Sequence, residues 1–404
     1  MNQADTHNFG RKVTKTMIDG REVYLKPRPI ANELFLFGQN SPLKDLVYSR
    51  LKNPEFIRFW DAIFNLTGSF HNSTESWAPY SGYINGISPL TEKEIDARMA
   101  EGDQFILDFS FNFGMILGFT HFFGVTDLHY ENLLISKDGI HVIDSEAAFE
   151  GIKFLSQTMG IGTTPLTRNF VGITIYWWLT KYKPVEGQTK DSDVALPAAQ
   201  FERLIKGYAE AMDQLTSLRE EILLLVKEFI HQHQDMPFRV ILRHTFEYFM
   251  FMTEETPPER FPFIAEEFLQ MSRGDLPYFF STPTDLSFFY VGDAAGTPVK
   301  VALSNFHPLL VQYYIKSRYN ADELFAQERV EMIRSVGLIE IYRELNLDPN
   351  LIVKIGDTVV FRKGNMIYCK SGHITYEGEA AASLLMDTSM LSSTIKVSAQ
   401  TGLE

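Results

Sequence analysis

The chain has 404 residues, 45% hydrophobic and 22% charged, with a formal net charge of -14. This is ordinary globular composition, and the length suits two domains or one bilobed one. An acidic surface repels phosphate backbones and argues against a nucleic-acid partner, while the single cysteine, Cys369, excludes a disulfide framework and a cysteine-rich zinc site and points to the cytoplasm.

The opening "MNQADTHNFGRKV" is polar and lacks the apolar core of a signal peptide. In "RKVTKTMIDGREVYLK" (11–26), Asp19-Gly20 between two alternating segments predicts a β-hairpin. Val23 and Leu25 fall on one face of its second strand, and Tyr24 and Lys26 on the other. Pro27 and Pro29 are expected to end the pairing. Residues 31–70 read as helical, and so do 91–125, where Thr91 and Glu94 have the spacing of a capping box. Phe105–Val125 is the most apolar stretch. Its Asp108, Asn112 and His121 make it a buried helix and not a membrane span.

Ser136-Lys137-Asp138-Gly139 separates "NLLI" from "IHVID" and predicts a second hairpin. Residues 152–170 read as a Gly/Thr-rich loop and 183–198 as a polar, mobile segment. Helices are expected from about 199 to 272 and at about 322–345, with short mixed elements between. The end, 350–404, reads as short strands followed by a tail.

The densest chemistry lies in "TDLHYENLLISKDGIHVIDSE" (126–146). Asn132 follows Asp127 by five residues, and Asp144 follows Asn132 by twelve, across the hairpin. Phosphoryl transfer needs a carboxylate to accept the proton of the attacking hydroxyl, hard oxygen ligands for Mg2+ and a cation on the phosphates. Protein kinases place a base Asp five residues before a metal-binding Asn, with a second metal-binding Asp further on. Asp127 is thus a candidate base, with Asn132 and Asp144 as metal ligands and Glu146 assisting. Lys26, on a strand after an N-terminal hairpin, fits the phosphate cation. No G-x-G-x-x-G loop is present. His129, taken alone, reads equally as a structural hydrogen-bonder.

Five stretches in order carry a resemblance: "ADTHNFGRKV", "REVYLKPR", "GVTDLHYENLL", "VIDSEAAF" and "FRVILRHT". Together they resemble the dehydratase domain of class II lanthipeptide synthetases, the LanM type. "RGDLPYF" (273–279) and "LFAQERVEMIRSV" (324–336) are weaker echoes, so the likeness runs from residue 4 to about 337.

The resemblance implies an α+β, bilobed, kinase-like core over 1–340. Its N-lobe would span about 1–85 and its mainly helical C-lobe about 86–340, with a strand-rich appendage of unknown role at 341–404. It implies an enzyme that uses ATP and Mg2+ to phosphorylate Ser and Thr of a precursor peptide and then eliminates phosphate, leaving dehydroamino acids. Lys26, Asp127, His129, Asn132 and Asp144 would serve phosphorylation, and Arg239 and Thr245 elimination, with Arg243 or His7 assisting. Asp5 and His7 match active-site positions of undivided labour.

A guanidinium suits a departing phosphate dianion because it binds two oxygens at once. The family's zinc cyclase needs ligands that this chain lacks, so ring formation is expected from a separate protein. "ADTH" and "IDSE" replace the family's "GD-x-H" and "IDLE" without touching the charged positions. Asp5 comes almost at the start, which leaves leader recognition open. The alternatives are a kinase-like transferase acting on another protein or small molecule, and a non-catalytic peptide-binding subunit.

Overall fold

A computed structural model describes residues 6–51, 54–71, 76–91, 93–94, 97, 103–128, 132–151, 194–242, 245–253, 263–305 and 319–335, with strand segments at 352–355, 358–363, 366–371 and 383–385. The predicted loop at 152–170 and the C-terminal tail lie outside them.

In chain order the elements are β1 (Thr14–Ile18), β2 (Arg21–Pro29), α1 (Ala31–Phe37), α2 (Pro42–Ser49), α3 (Ile57–Ile63), β3 (Gly68–Phe70), β4 (Ser81–Asn85), α4 (Asp103–Phe122), β5 (Leu133–Ser136) and β6 (Gly139–Val142). Next come β7 (Val194–Pro197), α5 (Ala198–Ser217), α6 (Arg219–Gln232), β8 (Phe238–Val240), α7 (Thr245–Met252), α8 (Ala265–Met271), β9 (Phe279–Ser281), β10 (Phe288–Val291) and β11 (Pro298–Val301). The last are α9 (Ala321–Leu324), α10 (Gln327–Ser335), β12 (Ile352–Ile355), β13 (Thr358–Lys363), β14 (Met366–Ser371) and β15 (Ser383–Leu385). Helix and sheet are mixed in an α+β chain.

The chain divides into two units. The first comprises residues 1–88, 141–151 and 219–325, and the second 89–140, 152–218 and 326–404.

In the first unit, β1 and β2 form the hairpin expected at Asp19-Gly20. Both turn residues have positive φ, 50° and 74°, as a tight two-residue turn requires. The sheet order is β1-β2-β4-β3, all antiparallel. The expectation that Pro27 and Pro29 end the pairing is corrected. β2 runs to Pro29, which pairs with Ser81 after a register shift between Lys26 and Pro29. A bulge is where a ladder tolerates a residue without an N–H.

A second antiparallel sheet in this unit has the order β11-β10-β9-β8. β8 therefore interrupts the run read as helical from 199 to 272. The core joining these parts is aromatic. Phe35 of α1 stacks on Phe229 of α6 at 4.3 Å between ring centroids, and Phe149 lies against Phe229 and against Phe238 of β8. These contacts hold α1, the segment after β6, α6 and β8 in one body.

In the second unit α4 packs on α5. α4 is long and apolar enough to cross a membrane, but 78% of that window is buried inside the protein, as in a core helix. The crossing is close because glycines line it. A Cβ at Gly114 would meet the Leu204 carbonyl oxygen at 1.8 Å, and one at Gly207 would meet that of Phe111 at 1.9 Å. The buried His121 has its Nδ1 2.7 Å from Tyr208 Oη, which donates to the Ile333 carbonyl. Strand β7, inside the segment read as mobile, pairs with β14 in a sheet of order β15-β12-β13-β14-β7. β5 and β6 form the hairpin predicted around Lys137-Asp138.

Candidate functional site

Lys26 is the last regular pair of β2 before the register shift and Arg28 falls within it, and both are buried. Lys26 Nζ lies 3.3 Å from Glu33 Oε1 and 3.7 Å from Asp144 Oδ2, and it donates to the Ile143 carbonyl. Arg28 pairs with three carboxylates: Glu33 at 2.6 Å, Asp144 at 2.6 Å and Glu146 at 3.1 Å. Glu33 sits in the first turn of α1 with its side chain fully buried. Such burial of a carboxylate is tolerable only beside cations.

β6 ends at Val142, so Asp144 and Glu146 lie on irregular chain past the strand. Their side chains nonetheless converge, because Arg28 reaches both. Burial alone would raise the Asp144 carboxyl. The nearby charges of Arg28, Lys26 and Arg239 outweigh it and hold that carboxyl well below the usual range. Asp144 is therefore ionised at neutral pH, and its side chain is 23% exposed.

Arg239 lies on β8, where Phe238 and Val240 point into the core and the alternation turns Arg239 to the other face. Its guanidinium pairs with Glu146 Oε1 and lies 5.2 Å from the ring centre of Tyr278. Tyr278 Oη donates to Glu146 Oε2 at 3.0 Å. His7 packs edge-on against the same ring and holds the Leu276 carbonyl at 2.8 Å through Nδ1. A carbonyl only accepts, so Nδ1 carries the proton and Nε2 is the acceptor nitrogen. Burial, then the Arg239 charge, push this imidazole down to about 4, and it is neutral at pH 7.

The turn carrying His7 is anchored by Asp275, which accepts from the backbone N–H of Phe9 and of Gly10. Asn8, Phe9 and Gly10 all have positive φ, which turns those N–H groups toward the carboxylate. Thr6 and Leu276 are linked through their backbones. The "THNFG" and "RGDLPYF" stretches are thus two halves of one structure.

Asp127 and Asn132 belong to the second unit. α4 closes in a Schellman motif, with Gly124 N–H on the His121 carbonyl and Val125 N–H on that of Thr120, and the chain then presents Asp127. Asp127 has φ 61°, and its carbonyl accepts from Asn132 Nδ2 at 2.7 Å. Thr245 is the first residue of α7. Asp5, His129 and Arg243 lie outside the described residues.

Arg28, Glu33, Asp275 and Tyr278 were not singled out from sequence. Arg28 stood in the quoted "REVYLKPR", and Asp275 and Tyr278 in "RGDLPYF". Glu33 is the only acidic residue of "ANELFLF", and an acid in so apolar a helix is a signal of a buried cation.

Glu33 Oε2, Asn32 Oδ1 and Ser145 Oγ are buried without a hydrogen bond, and Asn32 reaches the Ser145 carbonyl. Ser145 neighbours Asp144 in the chain and Asn32 reaches the same segment, and such hard oxygens are of the kind Mg2+ takes, whereas Glu33 is fully buried against Lys26 and Arg28 and closed to a hydrated ion. Among the described residues, no three His, Cys, Asp or Glu side chains group to hold a metal.

Residues 93–169 match the model of a domain of unknown function, DUF4135, a family associated with lanthipeptide synthetase domains. The match spans Asp127, His129, Asn132, Asp144 and Glu146 and stops short of Lys26 and Arg239. No curated protein matches the chain.

Proposed function

We propose that the chain is a lanthipeptide-type dehydratase with kinase-like lobes, which phosphorylates Ser and Thr of a precursor peptide and then eliminates the phosphate together with the Cα proton, leaving a Cα=Cβ double bond. The observation that carries this reading is the buried Lys26 between Glu33 of a helix and the ionised Asp144. Kinases hold their phosphate-binding lysine against a helix glutamate in the same way, with a metal-binding aspartate nearby. The DUF4135 match over the Asp127–Asp144 segment adds support.

Mg2+-ATP, when bound, supplies the phosphoryl group and offsets the charge of its transfer. Asp144 would hold the metal and Lys26 would neutralise phosphate charge, while Asn132 takes its place as a second metal ligand from the resemblance. Asp127 would, by the same resemblance, accept the proton of the attacking hydroxyl. Arg239 binds the phosphate of the phosphorylated residue, and neutral His7 lines that end of the cluster, near the guanidinium. Thr245, His129 and Asp5 take their roles only from the resemblance. The cytoplasm is the expected compartment.

The test is mass spectrometry of a Ser/Thr-rich precursor peptide incubated with the protein, ATP and Mg2+. Loss of one water mass per modified residue is expected, and Arg239→Ala should accumulate phosphopeptide instead. Wild-type product that keeps its phosphate would leave only a phosphotransferase. Product with neither change would reject the enzyme reading.

A further inference from the structure

We propose that Glu146 is the positioning residue of Arg239. It is an internal carboxylate that holds the guanidinium where a phosphate dianion is to bind and gives it up when one arrives. The inference rests on the dehydratase reading for the identity of that ligand, and it revises Glu146 from metal ligand to anion stand-in.

Both oxygens of Glu146 are engaged. Arg239 takes Oε1, while Arg28 Nε and Tyr278 Oη share Oε2 at 3.1 and 3.0 Å. A cation binding there would have to enter between two guanidinium groups, so coordination is disfavoured at this carboxylate. Asp144 is more exposed, at 23% against 9% for Glu146, and is the better ligand.

The two arginines also differ. Arg28 is 8% exposed and committed to Glu33 and Asp144 as well, so it offers nothing to a ligand. Arg239 is 17% exposed. Carboxylate and phosphate present the same pair of oxygens to a guanidinium, and the phosphate carries more charge. When Arg239 changes partner, Glu146 keeps Arg28 and Tyr278, so no buried charge is stranded. Glu146 thus competes with phosphate for Arg239, and Arg28 and Tyr278 set how strongly.

The probe is inorganic phosphate, titrated calorimetrically into the wild type, Glu146→Gln, Tyr278→Phe and Arg239→Ala, with Mg2+-ATP titrated separately. Removing the competing charge should tighten phosphate binding about tenfold in Glu146→Gln. Tyr278→Phe should weaken it, because Glu146 then leans more on Arg239. Arg239→Ala should abolish it. Mg2+-ATP affinity should stay within about threefold in Glu146→Gln, since a metal ligand lost would cost tenfold or more.

A general structural defect would move both variants the same way; opposite signs are the signature. Phosphate affinity unchanged or weaker in Glu146→Gln, no phosphate binding by any variant, or a tenfold loss of Mg2+-ATP affinity overturns the proposal. If Glu146→Gln does not fold, Tyr278→Phe is read against its own Mg2+-ATP affinity: weaker phosphate binding with Mg2+-ATP affinity kept within about threefold supports the proposal, and any other result overturns it. A wild type that binds phosphate but not Mg2+-ATP would reject the dehydratase reading while the Glu146 comparison still stands.

Discussion

Arg28 and His7 show what burial does to single residues here. Arg28 offsets three carboxylates whose side chains range from fully buried to 23% exposed. Replacing it with methionine keeps bulk but strands Glu33, Asp144 and Glu146 with less compensating charge. Breaking a buried ion network from one side costs roughly 3–5 kcal/mol, and we expect a loss of that size in urea denaturation of Arg28→Met.

His7 is neutral in the folded protein down to about 4, against 6.5 for the free side chain. Between those values the unfolded chain binds the proton and the folded one does not. The stabilisation is therefore complete above about pH 6.5 and is lost as pH falls toward 4, on the order of 3 kcal/mol in all. Denaturation at pH 7.5 and pH 4.5 should show this loss in the wild type, and much less of it in His7→Gln. An imidazole titrating near 6.5 in the folded protein would contradict the burial argument.

Elements are governed by local chemistry and by close approach. Thr91 and Glu94 form the capping box that their spacing implied, with Thr91 N–H and Oγ1 both on Glu94 Oε2 and Glu94 N–H on Thr91 Oγ1. Thr91→Ala should cost about 1 kcal/mol. The α4–α5 crossing depends on Gly114 and Gly207, where any side chain meets backbone of the other helix. Backbone cannot swing aside as a flexible side chain can. Gly114→Ala should therefore destabilise by about 1–3 kcal/mol or more, despite alanine's better helix propensity. Thermal unfolding of that variant tests it, and an unchanged or raised midpoint would disprove the tight crossing.

At the scale of the whole molecule, a ligand that binds the folded chain alone must raise its stability. Mg2+-ATP at a hundred times its dissociation constant should add about 2.7 kcal/mol, read as a shift in thermal unfolding, and Asp144→Asn should erase the shift. ADP-free protein that shows no shift at millimolar Mg2+-ATP would count against nucleotide binding.

Local patterns were legible in the sequence alone: both hairpins, from Asp19-Gly20 and from the turn before Gly139; the buried apolar helix; and the capping box. Each depends on neighbours within a few positions, through turn dihedrals, helical period or motif spacing. Tertiary structure alone decided the rest. Lys26 meets Glu33 and Asp144, Arg239 meets Glu146, and His7 leans on Tyr278, across separations of up to 271 residues. It also decided that β2 continues through its prolines, with a register shift between Lys26 and Pro29 that accommodates them. The physical reason is that charge pairing in a low-dielectric interior depends on distance in space, and no local pattern encodes which distant carboxylate a buried cation will find.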